Sequence, residues 1–448
     1  MADIRPIPAI TYDFPADVDM LPVIAPPYDV LDEKSKAELL ERNDCNIVAI
    51  DLPHLPAKTV GPDETYAKAG EVYRAWLADG TLKRSEKPAI FAYRQCYTHR
   101  GHTYRRTGLI ANVKIQPFGK PADGSGGIHP HEQTFSGPKE DRLKLMRATK
   151  AQLSPIFGLY SDPSGWLTKL LASVIERGPC SFYGTTSNDG VLHEVWVLDT
   201  DEDIARFTEA LQPQDIFIAD GHHRYNTALN YKKELESKDG PLPADHPANN
   251  CLFVLVAMQD PGMIVLPTHR VLGGMKNFSV SALAKAGEGK IRITPFAGAD
   301  LKALEAALPK HGPHAMGLYD PSDARQPLSI LTTESDDPLG ATHGQQSDAW
   351  RQLDVAVLQH LIVEQLLQPN FCEAASGGGA GEVKWKFPHS LHDTEAITKS
   401  EGFQLGVIVQ PTPLESVRLV SEAGELMPQK STFFYPKVAT GLVINPLE

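Results

Sequence analysis

"IFIADGHHRYNTALNYKKEL" occupies residues 216–235, and it joins two periodicities at a turn rich in ionisable groups. Ile216 to Ala219 form an apolar run of strand type, while Tyr225, Ala228, Leu229 and Lys232 recur at three- and four-residue spacings. The spacing therefore predicts a strand running into a helix, with Asp220 and Gly221 at the turn. A helix N-terminus presents free backbone N–H groups and the positive end of the dipole, so the turn is a candidate anion site. His222, His223 and Arg224 would add side-chain donors for phosphate oxygens, and Gly221 would let the anion approach the backbone. Asp220 is negative and cannot itself welcome phosphate. Its useful roles are to cap the helix or to hold a bridging Mg²⁺, and the bland alternative leaves it as a cap with the histidines as fillers.

Outward from this turn the texture is mixed α/β. Helices are expected over "SKAELLERN", "ETYAKAGEVYRAWLADG", "GPKEDRLKLMRATKAQL", "WLTKLLASVIER" and "DIARFTEALQ". Strands are expected over "CNIVAIDLP", "SPIFGLYSD" and "HEVWVLDTDE", over two runs joined by "HRGH", and over two buried runs around the P-G turn of "NNCLFVLVAMQDPGMIVLPTHRVL". Residues 277–368 have a pattern of their own, and "ASGGGAG" (375–381) reads as a flexible loop or linker. The expected regions are 1–125 (α/β), 126–275 (the core carrying the turn), 276–370 (α/β) and 371–448 (strand-rich, returning to the site).

At 448 residues the chain has room for two or three domains with their own cores. A net charge of -13 with 22% charged and 42% hydrophobic residues describes an acidic globular protein and argues against nucleic acid as a partner. The five cysteines lie far apart with no C-x-x-C pair, which suits a reducing compartment. No window approaches a membrane span, and the first residues lack a basic start followed by an apolar run, so a cytoplasmic location is expected.

A second cluster, "GIHPHEQTF" (127–135), puts His129 and His131 two residues apart, on one face if the segment is a strand. Glu132 beside them precedes a basic helix and would serve as a general base if it lies near the anion site. A metal site built on His129, His131 and Glu132 is a weaker option, because further ligands cannot be assigned. Near the C-terminus, "MPQKSTFFYPK" (427–437) lacks the glycine-rich lead of a P-loop. Either it folds back so that Lys430, Lys437 and Tyr435 line the site, or it is an aromatic strand with exposed lysines. In "LPTHRVL", His269 and Arg270 suit a structural ion pair or recognition of a substrate carboxylate.

"VIAPPYDVL", "HEQT" followed by "DRLKLMRATKAQLSPIFGLYSD", "IADGHHRYNTAL", "LPTHRVL" and "MPQKSTFFYPKVATGLVI" resemble, in order, the signature blocks of a bacterial family catalogued only as a conserved domain of unknown function, number 1015. More distantly, H-E, a basic helix, an apolar strand and D-G-H-H-R are similar to the core of ParB/sulfiredoxin-like proteins, in particular the archaeal-type free serine kinases. That resemblance implies a mixed α+β fold with a ParB/sulfiredoxin-like core and large N- and C-terminal elaborations. It also implies a nucleotide-dependent phosphotransferase acting on a small hydroxylated metabolite such as serine, using ATP or ADP with Mg²⁺. Glu132 would be the base and Asp220 a catalytic metal ligand. Gly221, His222, His223, Arg224 and Lys430 would bind phosphate, and His131, His269, Arg270, Tyr28 and Asp29 substrate. A long insertion between strand and turn departs from the small kinases and leaves the nucleotide and the pocket open. The turn lacks the cysteine of sulfiredoxins, which disfavours sulfinate reduction. The alternative is a ParB-like nucleotide-binding or hydrolysing switch acting through protein partners.

Overall fold

The computed structural model describes residues 3–119, 127–373 and 381–448. All but one residue of the "ASGGGAG" segment lies outside them. The chain forms two compact units, one of residues 1–264 with 436–448 and the other of residues 265–435.

Unit 1 is built on a nine-stranded mixed sheet. Its strands are β1 (Ile4–Arg5), β2 (Ile90–His99), β3 (His102–Lys114), β4 (Ile128–His129), β5 (Ile156–Tyr160), β6 (Phe182–Thr185), β7 (Leu192–Leu198), β8 (Ile216–Asp220) and β9 (Asn250–Ala257). They lie in the order β4-β8-β5-β9-β3-β2-β7-β6, with β1 on β3. β9 pairs parallel to β5 and antiparallel to β3, and seven of its eight residues are buried, as its unbroken apolar sequence requires of a central strand. Among its helices are α1 (Asp63–Ala78), α2 (Ser136–Thr149), α3 (Trp166–Ile175), α4 (Asp201–Leu211) and α5 (His222–Asp239). Leu167, Leu170 and Leu171 of α3, Phe207 and Leu211 of α4, and Tyr225 and Ala228 of α5 share one apolar core with the sheet. At the β2–β3 turn Arg100 and Gly101 have φ of 50° and 80°, the left-handed pair a tight hairpin needs.

Two strand expectations need correction. "CNIVAIDLP" contains a helical turn, Val48–Asp51. Asn46 decides this locally: its side-chain oxygen accepts from the Val48 N–H (3.0 Å) while its amide donates to the carbonyls of Pro22 and Ile24. Tertiary hydrogen bonds thus override the β-branched composition. The second run after "NNCLFVLVA", Ile264–Leu266, is half-buried rather than buried.

Unit 2 carries a six-stranded sheet of β10 (Arg270–Gly273), β11 (Ile291–Pro295), β12 (Met316–Tyr319), β13 (Leu328–Thr333), β14 (Lys384–Lys386) and β15 (Phe403–Ile408), in the order β11-β13-β12-β15-β10-β14. A π-helical stretch, Val357–Leu367, supplies much of its core. The fold class is mixed α/β, as expected. Among the described residues no helix is long and apolar enough to cross a membrane.

Candidate functional site

The turn after β8 is shaped by a bulge. Ile218 pairs with Gly158 and Asp220 with Phe157, so Ala219 is an extra residue that re-aims Asp220. Gly221 follows in the left-handed region, with φ 97° and ψ 24°, and no side chain caps α5. The first helical N–H with an acceptor is that of Tyr225, 3.0 Å from the Gly221 carbonyl. The N–H groups ahead of it make up the uncapped helix end.

The charged groups are largely committed to each other. Asp220 Oδ2 accepts from Arg224 Nη2 at 2.7 Å, and Oδ1 lies 3.2 Å from Lys437 Nζ. Burial alone would raise the Asp220 carboxyl, yet Lys437 and Arg224 hold it well below the ordinary range. The other end of the buried Arg224 guanidinium donates to the Pro155 carbonyl. Arg224 is therefore a strut between β5 and the turn rather than the phosphate fork read from the sequence. Both Asp220 oxygens face cations, so Mg²⁺ does not fit there.

The two histidines do something the sequence did not suggest. His222 Nε2 accepts from the His131 N–H at 3.2 Å, and His223 Nε2 accepts from the Phe135 N–H at 3.1 Å. Each ring pins one end of the 131–135 loop onto the start of α5. An imidazole nitrogen that accepts carries no proton, so the proton sits on Nδ1. Burial pushes His222 well below the ordinary value, reinforced by His131, and it also lowers His131 and His223 against the opposing charge of Glu132. These are neutral positioning groups, not phosphate donors through Nε2. Between the two pins stands Glu132, its side chain 28% exposed, with Oε2 4.0 Å from His222 Nδ1. His131 is buried and meets the His222 ring edge to face at 4.6 Å.

His129 goes elsewhere. β4 ends there, and its Nε2 meets Asp215 at 3.2 Å while the ring stacks on Phe217. His129 and His131 thus do not converge, and among the described residues no group of three or more His, Cys, Asp or Glu is arranged to hold a metal. The metal option is withdrawn.

Tyr28 and Asp29 lie in a 3₁₀ turn, Tyr28–Val30. The Arg142 guanidinium covers the buried Tyr28 ring at 3.8 Å. Asp29 Oδ2 lies 3.5 Å from Lys58, while Oδ1 is buried with no hydrogen-bond partner among the described residues. Asp29 and Glu132 both act electrostatically on His223, which puts this turn beside the 131–135 loop. Beneath lies an ion network that composition does not reveal. Arg142 donates to Asp141 (2.8 Å) and to the Asp51 carbonyl (2.6 Å), Ser154 donates to Asp51 (2.8 Å), and Tyr66 donates to Asp141 (2.7 Å). A cavity of about 40 Å³ adjoins Tyr28, Asp51, Arg142 and Arg224; it is water-sized, too small for a substrate.

Three expected site residues belong to unit 2. His269 Nδ1 accepts from the Val409 N–H at 3.3 Å. Arg270, lowered to about 10 by burial, donates to the carbonyls of Thr268, His269, Gln429 and Lys430 and lies over Phe387. Its acceptors are main-chain, while His269 Nε2 lies 3.9 Å from Glu305 Oε1, so the ion-pair contact expected of this segment falls to the histidine and not to Arg270. Lys430 is exposed, with φ 59°. From the same C-terminal segment it is Lys437 that reaches Asp220.

Unit 1 is thus a mixed α/β sheet whose β8–α5 turn holds the 131–135 loop so that the Glu132 carboxylate stands beside an uncapped helix end. The chain belongs to the family described as "Protein of unknown function (DUF1015)", which matches residues 4–356. No curated protein matches it in sequence. Similar solved structures include a free serine kinase variant in complex with ADP (13% identity, 68% of this chain and 83% of that chain, TM-score 0.31). Others are a conserved hypothetical protein from Pyrococcus furiosus (16% identity, 72% and 95%, TM-score 0.30) and a C-terminally truncated SbnI from Staphylococcus aureus (12% identity, 75% and 87%, TM-score 0.32). With TM-scores at this level the superpositions are loose.

Proposed function

We propose that unit 1 is a nucleotide-dependent phosphotransferase acting on a small hydroxylated metabolite such as serine, with ATP or ADP as donor. The observation that carries the reading is Glu132: a solvent-reachable carboxylate pinned on both sides by His222 and His223 at the uncapped start of an 18-residue helix. A hydroxyl seated against Glu132 gives up its proton to the carboxylate as its oxygen attacks the terminal phosphorus, and the bond from that phosphorus to the bridging oxygen breaks to release the nucleotide one phosphate shorter. The free N–H groups of α5 and the Lys437 ammonium receive the negative charge of the phosphates, and Gly221 lets them approach the backbone. The buried Oδ1 of Asp29 is an acceptor for a substrate donor such as an ammonium group.

Glu132→Gln keeps shape and hydrogen bonding but cannot take the proton. Nucleotide-induced thermal stabilisation should persist while transfer to serine or a related hydroxyl compound falls by about 10²–10⁴-fold. A protein that binds nucleotide but transfers phosphate to no small hydroxyl acceptor, with no change in Glu132→Gln, points instead to a ParB-like nucleotide switch acting through partners.

A further inference from the structure

Unit 2 holds a cavity of about 430 Å³, within the size range of small-ligand sites and ten times the volume of the one beneath the β8–α5 turn. Its wall has an unusual chemistry. Pro309, Pro313, Pro411 and Pro413 line it, and each contributes a carbonyl but no N–H. Asp354 and Gln410 add side-chain acceptors. The Gln410 amide nitrogen faces the Ala315 carbonyl at 3.4 Å, and its oxygen has no partner among the described residues.

Asp354 is held in place at a conformational cost. Behind it His314 is fully buried and sits at φ 58°, a left-handed conformation that non-glycine residues avoid unless the surroundings impose it. From there its backbone N–H and its Nδ1 both meet Asp354 Oδ1, at 3.2 and 3.1 Å, while Nε2 meets Gln352 Oε1 at 3.1 Å. Gln352 is fixed in turn by donating to the Asp336 carbonyl at 2.7 Å. One carboxylate oxygen is thus clamped from the protein interior. The other, Oδ2, has no partner among the described residues, and the side chain is 22% exposed on the cavity wall.

We infer that this cavity is a binding site for a small organic cation, an ammonium or guanidinium group on a short aliphatic body. The donor-rich head meets Asp354 Oδ2 and the acceptor-rich wall, and the methylenes pack on the proline rings. The site lies wholly in unit 2 and does not depend on the phosphotransferase reading of unit 1.

The test follows the thermal midpoint of the full chain with putrescine, agmatine and, as an uncharged isostere, 1,4-butanediol. Putrescine or agmatine should raise the midpoint saturably, by roughly 5 °C at a hundred times the Kd, and butanediol should not. Asp354→Asn should abolish the rise by removing the charge. Ser416→Trp, at another wall position with no side-chain hydrogen bond among the described residues, should abolish it by filling the cavity while His314 and Asp354 stay intact. If Asp354→Asn does not fold, Ser416→Trp decides. The inference is overturned if neither amine gives a saturable rise, if butanediol matches them, or if the rise survives in either folded variant.

Discussion

His222 carries its proton on Nδ1 because Nε2 is occupied by the His131 N–H, and burial keeps the ring from taking a second proton. His193 is a parallel case on β7: fully buried, with Nδ1 2.5 Å from the Tyr93 hydroxyl and Nε2 3.1 Å from Thr186, it is pushed down to about 3 by burial and the nearby Arg106. In the unfolded chain both titrate near 6.5. Below that pH the unfolded state binds protons that the native state refuses, so native stability is complete above about pH 6.5 and is lost as the pH falls toward 3. The slope is roughly 1.4 kcal/mol per pH unit for each such histidine. His193→Gln should therefore flatten the urea-midpoint profile between pH 6.5 and 4 by about that slope, and an unchanged profile would refute the buried neutral histidine. Residue type and spacing single out the D-G-H-H-R turn as an anion site and Glu132, ahead of a basic helix, as a base, and the structure brings the two together. Sequence reading brings Lys430, Lys437 and Tyr435 to the site together and counts only Lys430 among the phosphate-binding residues, whereas Lys437 is the one that meets Asp220. The two lysines share one short segment, and only a contact across 217 positions tells them apart.

At the level of elements, the strand–turn–helix at 216–239 was legible because its two periodicities change at a glycine. The bulge at Ala219 was not, since a bulge is set by pairing with β5 and leaves no mark on β8 alone. The strand expected near residue 48 failed for a similar reason, the deciding bonds running from Asn46 to residues more than twenty positions away. The turn also makes a sharp claim about Gly221. An alanine there would be held at φ 97°, costing about 1–2 kcal/mol, and its Cβ would lie 3.0 Å from Arg224 Nε, disturbing the strut to β5. Gly221→Ala should lower the urea midpoint accordingly and weaken nucleotide stabilisation. Gly221→Asn, which tolerates the left-handed region better, should lose less stability. Equal stability of Gly221→Ala and the parent would mean that the turn is not left-handed in solution.

On the scale of the whole molecule, unit 1 is completed by the last thirteen residues of the chain, which return to it after unit 2. Periodicity cannot reveal such a return, because what matters is where the segment packs. Val438, Ala439, Leu442, Val443, Ile444 and Leu447 are all buried. The carbonyls of Pro436 and Lys437 accept from Arg106 and Gln95, and Asn445 bonds the side chains of Asn112 and Gln152. Burying these side chains contributes on the order of 10 kcal/mol, as much as the whole net stability of a typical domain. Removing the segment also strands buried donors on Arg106 and Gln95, each costing about 1–3 kcal/mol. A chain ending at Tyr435 should therefore fail to fold unit 1 while unit 2, whose core lies within 265–435, keeps its sheet. Hydrogen exchange distinguishes the two: amides of β9 should exchange freely in the truncated chain while those of β12 and β15 stay protected. Persistent protection of β9 would show that unit 1 stands without its C-terminal segment, and that the Lys437–Asp220 pair is an accessory to the fold rather than part of its closure.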